Sequence, residues 1–349
     1  MQLKNCRLIP RLSDGADFAL ADIDIADGKI AAVRPASGAP TQEGDVDCAG
    51  RTVLPGLFDL HVHLVNERAP NDIYHAFELY NQYAPTLGVF LDWGVTAVRD
   101  CGSTMSLACR LREGGKGFFE GPRILSSGQI ISPEAMRRKG EGASTPLPTA
   151  LTRSCARRGG SYVASYAHST DAINTCIRCG VRSIEHTTYL DDESIRLLLS
   201  TPDVYTVPTS AVAEPYLDGD GYNDPATLRY WSTPYMVESS RHCRGREKQA
   251  YLAGVKMGLG TDLSPADFVK YPYEFRVRKH SCGMDNVDIL LQATKVSAEI
   301  AQLGGVAGEV REGYAADLTA VDGRPDEDIS VMYRRPALVI KRGEIKRRA

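Results

Sequence analysis

Two histidines spaced i, i+2 close the apolar run Leu54-Pro55-Gly56-Leu57-Phe58-Asp59-Leu60-His61-Val62-His63. Successive strand side chains alternate faces, so His61 and His63 leave the end of one strand in the same direction. Two neutral imidazoles placed that way suit a single metal ion. A bare His-x-His at a strand end is more often a pair of ordinary histidines, but the flanks tip the balance here. Pro55-Gly56 punctuates the approach, Asp59 offers a carboxylate to orient a ligating imidazole, and further ligand-type residues end later strands.

The elements that must position these groups follow from the pattern of runs. Phe18 to Ile25 alternates polar and apolar residues, and Asp27-Gly28 turns the chain into the next run, as in an antiparallel hairpin. The segments Gly313–Gly323 and Ala337–Ile345 repeat this character. The expectation is a small β-sandwich subdomain built from residues 1–56 and 305–349. Between them, apolar strand runs alternate with helical stretches: Thr52–His61, Thr96–Arg99, Arg123–Ser127, Tyr162–Ala167, Ser183–His186, Val204–Val207 and Lys256–Thr261. That alternation predicts an α/β fold with a parallel sheet and crossover helices. Ligand-like residues gather at the C-terminal strand ends, which favours a (β/α)8 TIM barrel over residues 57–304. A doubly wound sheet is the alternative, but no Gly-rich phosphate loop follows the first strand. Residues 130–160 offer too few positions for a helix, a strand and a second helix, so the barrel is expected to be complete or short of one strand.

Composition narrows the function classes. The chain has 349 residues and a formal net charge of -3, with no basic stripe, so nucleic acid and membrane surfaces are poor partner candidates. The first residues lack a signal-peptide core and no run is long enough to span a bilayer, so a cytoplasmic location is expected. Nine cysteines, an odd number spread along the chain, argue for reduced thiols. Cys176-Ile177-Arg178-Cys179 lies in a helical stretch without a second pair. His75, His242 and His280 end none of the strands and read as surface or helix residues.

Five stretches carry a resemblance: Pro55–His63, Gly94–Asp100, Ser183–His186, Gly258–Asp262 and Gly313–Leu318. Together they resemble the metal-dependent amidohydrolase superfamily, nearest its imidazolonepropionase-like and Xaa-Pro or Xaa-Arg dipeptidase branch. The resemblance implies that His61 and His63 bind a buried metal, that Asp262 completes the site, and that His168 and His186 lie across the cavity. Asp262, after Gly260-Thr261, would ligate and also take a proton from a water; its competing role is a helix N-cap. His186 would ligate or touch the water or substrate. The branch usually has a ligand histidine where this chain has Tyr166, with His168 two residues on; Tyr166 is therefore a candidate substrate contact and His168 a displaced ligand.

In two-metal relatives the fourth strand carries a carboxylated lysine. Lys139, the lysine of the short interval, sits among Arg137, Arg138 and Glu141 and reads as a solvated loop. The expected cofactor is thus one zinc ion, with a second divalent ion as the alternative. The expected function is hydrolysis of an amide or peptide-like C–N bond in a small molecule, a dipeptide or an N-acyl amino acid, by a homo-oligomeric enzyme. Two competitors stand beside it: a one-metal cyclic-amide hydrolase or deaminase, and a catalytically impaired relative acting as a binding or oligomer-forming protein.

Overall fold

A computed structural model describes residues 1–65, 72–114, 119–128, 162–213 and 234–348. Residues 130–160 with Lys139, and most of the Ala211–Tyr235 stretch, lie outside them.

Strands β1 (Gln2–Cys6), β2 (Ala21–Ala26), β3 (Lys29–Pro35) and β4 (Val46–Asp47) form one four-stranded sheet in the order β3-β2-β1-β4. The predicted hairpin is there: Ala26 pairs with Lys29, and the two loop residues Asp27 and Gly28 have φ of 51° and 72°. Two positive φ values match the turn to the twist of its strands. A second sheet joins β5 (Thr52–Pro55) to β12 (Leu318–Val321), β13 (Leu338–Lys341) and β14 (Glu344–Arg348), all antiparallel. Leu3, Ile23, Ile30, Val53, Leu318 and Ile340 belong to one core beneath the two sheets.

The run expected as one strand over Thr52–His61 is two. β5 belongs to the second sheet, and β6 (Leu57–Val62) starts a parallel one. The chain changes sheet at Gly56, whose N–H donates to the Asp317 carbonyl at 2.7 Å. A Cβ on Gly56 would stand 2.1 Å from Thr96 Oγ1, so only glycine fits this crossing.

β6 pairs in parallel with β7 (Val95–Asp100), and β7 with β8 (Arg123–Ser126). A second parallel sheet runs β9 (Ala164–Ala167), β10 (Ser183–His186) and β11 (Tyr205–Val207). Residues 256–263, expected as a strand, are extended and touch both sheets through isolated bridges, Thr206 to Met257 and Val62 to Leu263. The order β8-β7-β6-(256–263)-β11-β10-β9 is therefore one continuous arc. All six residues of β6, β7 and, over four residues, β10 are buried, as strands covered on both faces must be.

Helices follow the strands and carry their own start signals. Ser169 caps Thr170–Arg178 by accepting from Ala172 N, and Asp191 caps Asp192–Ser200 in a reciprocal pair with Ser194. Ile173, Ile177, Ile195 and Leu198 turn inward into the core that β6 to β10 share. These tight strand-to-helix turns leave the C-terminal strand ends as the place where side chains converge. No helix among the described residues is long and apolar enough to cross a membrane.

Candidate functional site

His61 and His63 leave the end of β6 together, as alternation requires. Their Nε2 atoms lie 3.4 and 3.2 Å from the same oxygen, Oδ1 of Asp262. Asp262 is brought there by the bridge segment, since its own N–H donates to the His61 carbonyl at 2.7 Å. It holds φ at 61°, a left-handed conformation that a non-glycine residue keeps only when its surroundings impose it. Gly260 makes the approach feasible: a Cβ there would stand 2.8 Å from the Cβ of His61.

The outer nitrogens are fixed as firmly as the inner ones. Nδ1 of His61 lies 2.7 Å from Glu185 Oε2, and Nδ1 of His63 lies 2.8 Å from the Gly102 carbonyl oxygen. With Nδ1–H donated outward, each ring turns its Nε2 toward Asp262. Among the described residues, the donor atoms of His61, His63 and Asp262 fall within 4.8 Å of one another, a set able to hold a metal ion. Two imidazoles and a carboxylate, with tautomers set by partners behind them, fit a borderline divalent cation such as zinc. A second set, His61 with Cys101 and Glu185, also falls within that distance. Its Glu185 is already committed to Arg99 and to His61, which leaves it the poorer cage.

Glu185 is the residue that sequence reasoning missed. Arg99, buried inside the arc, donates to Glu185 Oε1 at 2.7 Å, to Ser183 Oγ at 3.1 Å and to the Leu60 carbonyl at 2.6 Å. Burial would raise the Glu185 pKa, but Arg99 and His61 outweigh it and lower it to about 2. Asp59 does not orient an imidazole as expected. It accepts from the backbone N–H groups of His61 and Thr261 and from the Thr261 hydroxyl, at 3.1, 3.0 and 2.6 Å. It thus ties β6 to the bridge segment, and burial pushes its pKa up to about 7.

Strand alternation alone would send Glu185 and His186 to opposite faces. The backbone turns left-handed at His186, with φ 67°, and its ring comes within 4.8 Å of the His61 ring while Glu185 reaches Nδ1 from behind. Burial first, and then the nearby His61, depress the His186 pKa to about 3, so it is a neutral imidazole. Its Nδ1 lies 2.8 Å from Thr209 Oγ1, and His168 Nδ1 lies 2.6 Å from Thr188 Oγ1. The His168 and His186 rings stack with 4.8 Å between centroids and 7° between planes, and Tyr166 meets both edge-on. These three residues flank the His61, His63 and Asp262 cluster without joining its donor set.

Charges in the cluster support one another. Burial opposes charge on Asp262, yet hydrogen bonds from His61 and His63 hold its carboxyl well below the usual range. Burial likewise opposes charge on both imidazoles, but Cys101, Asp262 and Glu185 raise His61, and Asp262 and the Gly102 carbonyl raise His63. His75, His242 and His280 sit on helices and, among the described residues, join neither donor set; His75 bonds its own N-cap, Asp72, and the His242 ring packs on Tyr189.

Comparison with known proteins places the fold. Ochratoxinase of Aspergillus niger is 26% identical over 231 residues, 66% of this chain and 45% of that protein, so the chain spans about half the length of this curated relative. An L-hydantoinase of Paenarthrobacter aurescens is 37% identical over 87 residues, 25% of this chain and 18% of that protein. Among solved structures, a Xaa-Pro dipeptidase with methionine bound in its active site superposes with a TM-score of 0.78 at 25% identity, covering 99% of this chain and 98% of that one. The A. niger ochratoxinase structure gives 0.77 at 20% identity, over 100% and 95%. The arc of parallel strands is thus a TIM-barrel-type fold with an additional domain. Residues 126–346 match the amidohydrolase family, and the chain belongs to it.

Proposed function

We propose that the protein is a metal-dependent hydrolase of an amide or peptide-like C–N bond in a small molecule, a dipeptide or an N-acyl amino acid. The convergence of two tautomer-locked imidazoles and Asp262 on one point carries this reading. His61, His63 and Asp262 would hold the ion; when bound, zinc there would polarise a carbonyl and make water a nucleophile near neutral pH.

The chain's own groups supply the proton traffic. Asp262, ionised and partly exposed, accepts the proton of the attacking water and returns it to the leaving nitrogen as the C–N bond breaks. His186, a neutral ring, offers an N–H to the carbonyl oxygen as negative charge builds there. Arg99 and Glu185 keep the His61 ring from turning. A cyclic amide is the second substrate reading, favoured by the likeness to L-hydantoinase.

The test is a hydrolysis screen of zinc-loaded protein against dipeptides, N-acyl amino acids and cyclic ureides. Release of free amine from the first two classes supports the reading. Ring opening of ureides alone moves the substrate to the second, and inert metal-loaded protein removes both.

A further inference from the structure

The turn that follows β11 joins His186 to two buried glutamates. Thr209 Oγ1 lies 2.8 Å from His186 Nδ1, and the backbone is left-handed at both partners, with φ of 51° at Thr209 and 67° at His186. A β-branched residue keeps such a φ only where its surroundings impose it. The next two residues supply the constraint. Ser210 Oγ donates to Glu247 Oε2 at 2.5 Å, and the Ala211 N–H donates to Glu274 Oε1 at 2.6 Å. Glu247 comes from the helix Pro234–Leu252 and Glu274 from the helix Tyr273–His280, so two separate elements grip the turn.

Arg278 stands behind Glu274. Fully buried, it donates through Nε to Glu274 Oε2 at 3.1 Å, through Nη2 to the Gly258 carbonyl at 3.1 Å, and through Nη1 to Gln292. Gly258 lies in the extended segment that brings Asp262 to His61, so one guanidinium sets that segment and the turn in a common frame. Glu247 has no such partner: its Oε1 stays 3.9 Å from Arg278 Nη1 and has no hydrogen bond among the described residues. Burying two carboxylates and a guanidinium adds little stability over an apolar core of the same volume. What sets these two glutamates apart is where their oxygens aim, at consecutive residues beside Thr209.

We propose that Glu247 and Glu274 are positioning residues for His186: by clamping Ser210 and Ala211 they hold Thr209 left-handed, and Thr209 in turn fixes the rotation and tautomer of the His186 ring. This rests on the amide-hydrolase reading for what His186 does during hydrolysis, though not for how the ring is held.

Nitrogen-15 NMR of the histidine rings in the zinc-loaded full chain tests it, because the two nitrogens of a neutral imidazole are distinct and report its tautomer. The His186 signals are identified by their loss in His186→Gln. Glu247→Ala and Ser210→Ala should each draw the two His186 nitrogen shifts closer together as one held tautomer gives way to a mixture. Thr209→Val, which removes the hydroxyl directly, sets the size of that effect. Glu247→Gln, whose amide oxygen still accepts from Ser210, should keep the unaltered signals. With an N-acyl amino acid as substrate, Glu247→Ala should lower kcat about ten-fold at unchanged KM, inside the ~100-fold that a small misplacement of a reacting group can cost. Unmoved His186 shifts in folded Glu247→Ala and Ser210→Ala would overturn the proposal, and where Glu247→Ala fails to fold by circular dichroism, Ser210→Ala decides alone. A Glu247→Gln spectrum as altered as that of Glu247→Ala would overturn it too, since the acceptor is then still present. Unaltered protein that hydrolyses no amide would count against the amide-hydrolase reading alone, and the ring signals would still decide the role of the clamp.

Discussion

Glu185 stands 2.7 Å from Nδ1 of His61 with one carboxylate oxygen and 2.7 Å from the Arg99 guanidinium with the other. A single buried side chain therefore couples the electrostatics of the barrel interior to the orientation of the His61 ring, a proposed metal ligand. Replacing it by glutamine keeps its volume but leaves Arg99 without its charge partner and His61 without its anionic acceptor. Zinc affinity should fall by about 10- to 100-fold, the usual cost of losing such a partner. Competition with a chelator measures this, with circular dichroism as the control for folding; unchanged affinity would show that Glu185 serves only the core.

Metal binding should release protons and strengthen with pH. His61 and His63 have pKa values raised above the ordinary imidazole value in the metal-free chain, while Asp262 stays ionised. An ion must therefore displace protons from the two rings near neutrality. The sign for stability is opposite: the raised pKa values stabilise the metal-free fold fully below about 6.5, and this contribution fades as pH rises through them. Calorimetric titrations in two buffers of different ionisation heat count the protons. Identical heats in both buffers at pH 7 would refute the assignment.

Asp262→Asn should lower turnover by about a hundred-fold or more in metal-loaded protein while leaving the fold intact. The amide fills the same space but cannot accept the proton of the attacking water. Steady-state kinetics at matched zinc occupancy provides the check, and near-normal kcat would mean that another group is the base.

Gly260→Ala should damage the site without touching a ligand. The added carbon would meet Val207 Cγ1 at 2.5 Å and the His61 backbone nitrogen at 3.1 Å, so β6 must shift where it carries His61. Overpacking of this kind costs about 1–3 kcal/mol. Thermal melts and chelator competition on the same variant should both report a loss; a stable variant with full affinity would show that the strand end tolerates movement.

How far the sequence could be read follows from what each residue's role depends on. His61 and His63 were legible because a period of two is a local property of a strand. The Asp27-Gly28 turn was legible for the same reason. Asp262 and His186 entered through the family resemblance, and the structure gathers them beside His61. Glu185 was not legible: it lies 124 residues from His61, and alternation argues against its sharing a face with His186. Only the left-handed turn at His186 reconciles the two. Asp59 was misread because a carboxylate near a ligand strand can bond backbone as well as imidazole, and the two N–H groups converging on it are a tertiary fact. The break at Gly56 was likewise hidden, since its cause is Thr96 on the neighbouring strand. The expected deficit over residues 130–160 lies outside the described residues.

X-ray absorption at the zinc edge tests the central claim most directly, because two donor sets share His61 and differ in sulfur. The His61, His63 and Asp262 site predicts about one zinc per chain with only nitrogen and oxygen neighbours at ~2.0–2.2 Å. A zinc–sulfur shell at ~2.3 Å would place the ion with Cys101 instead, and protein that takes up no zinc would contradict a metal-dependent site altogether.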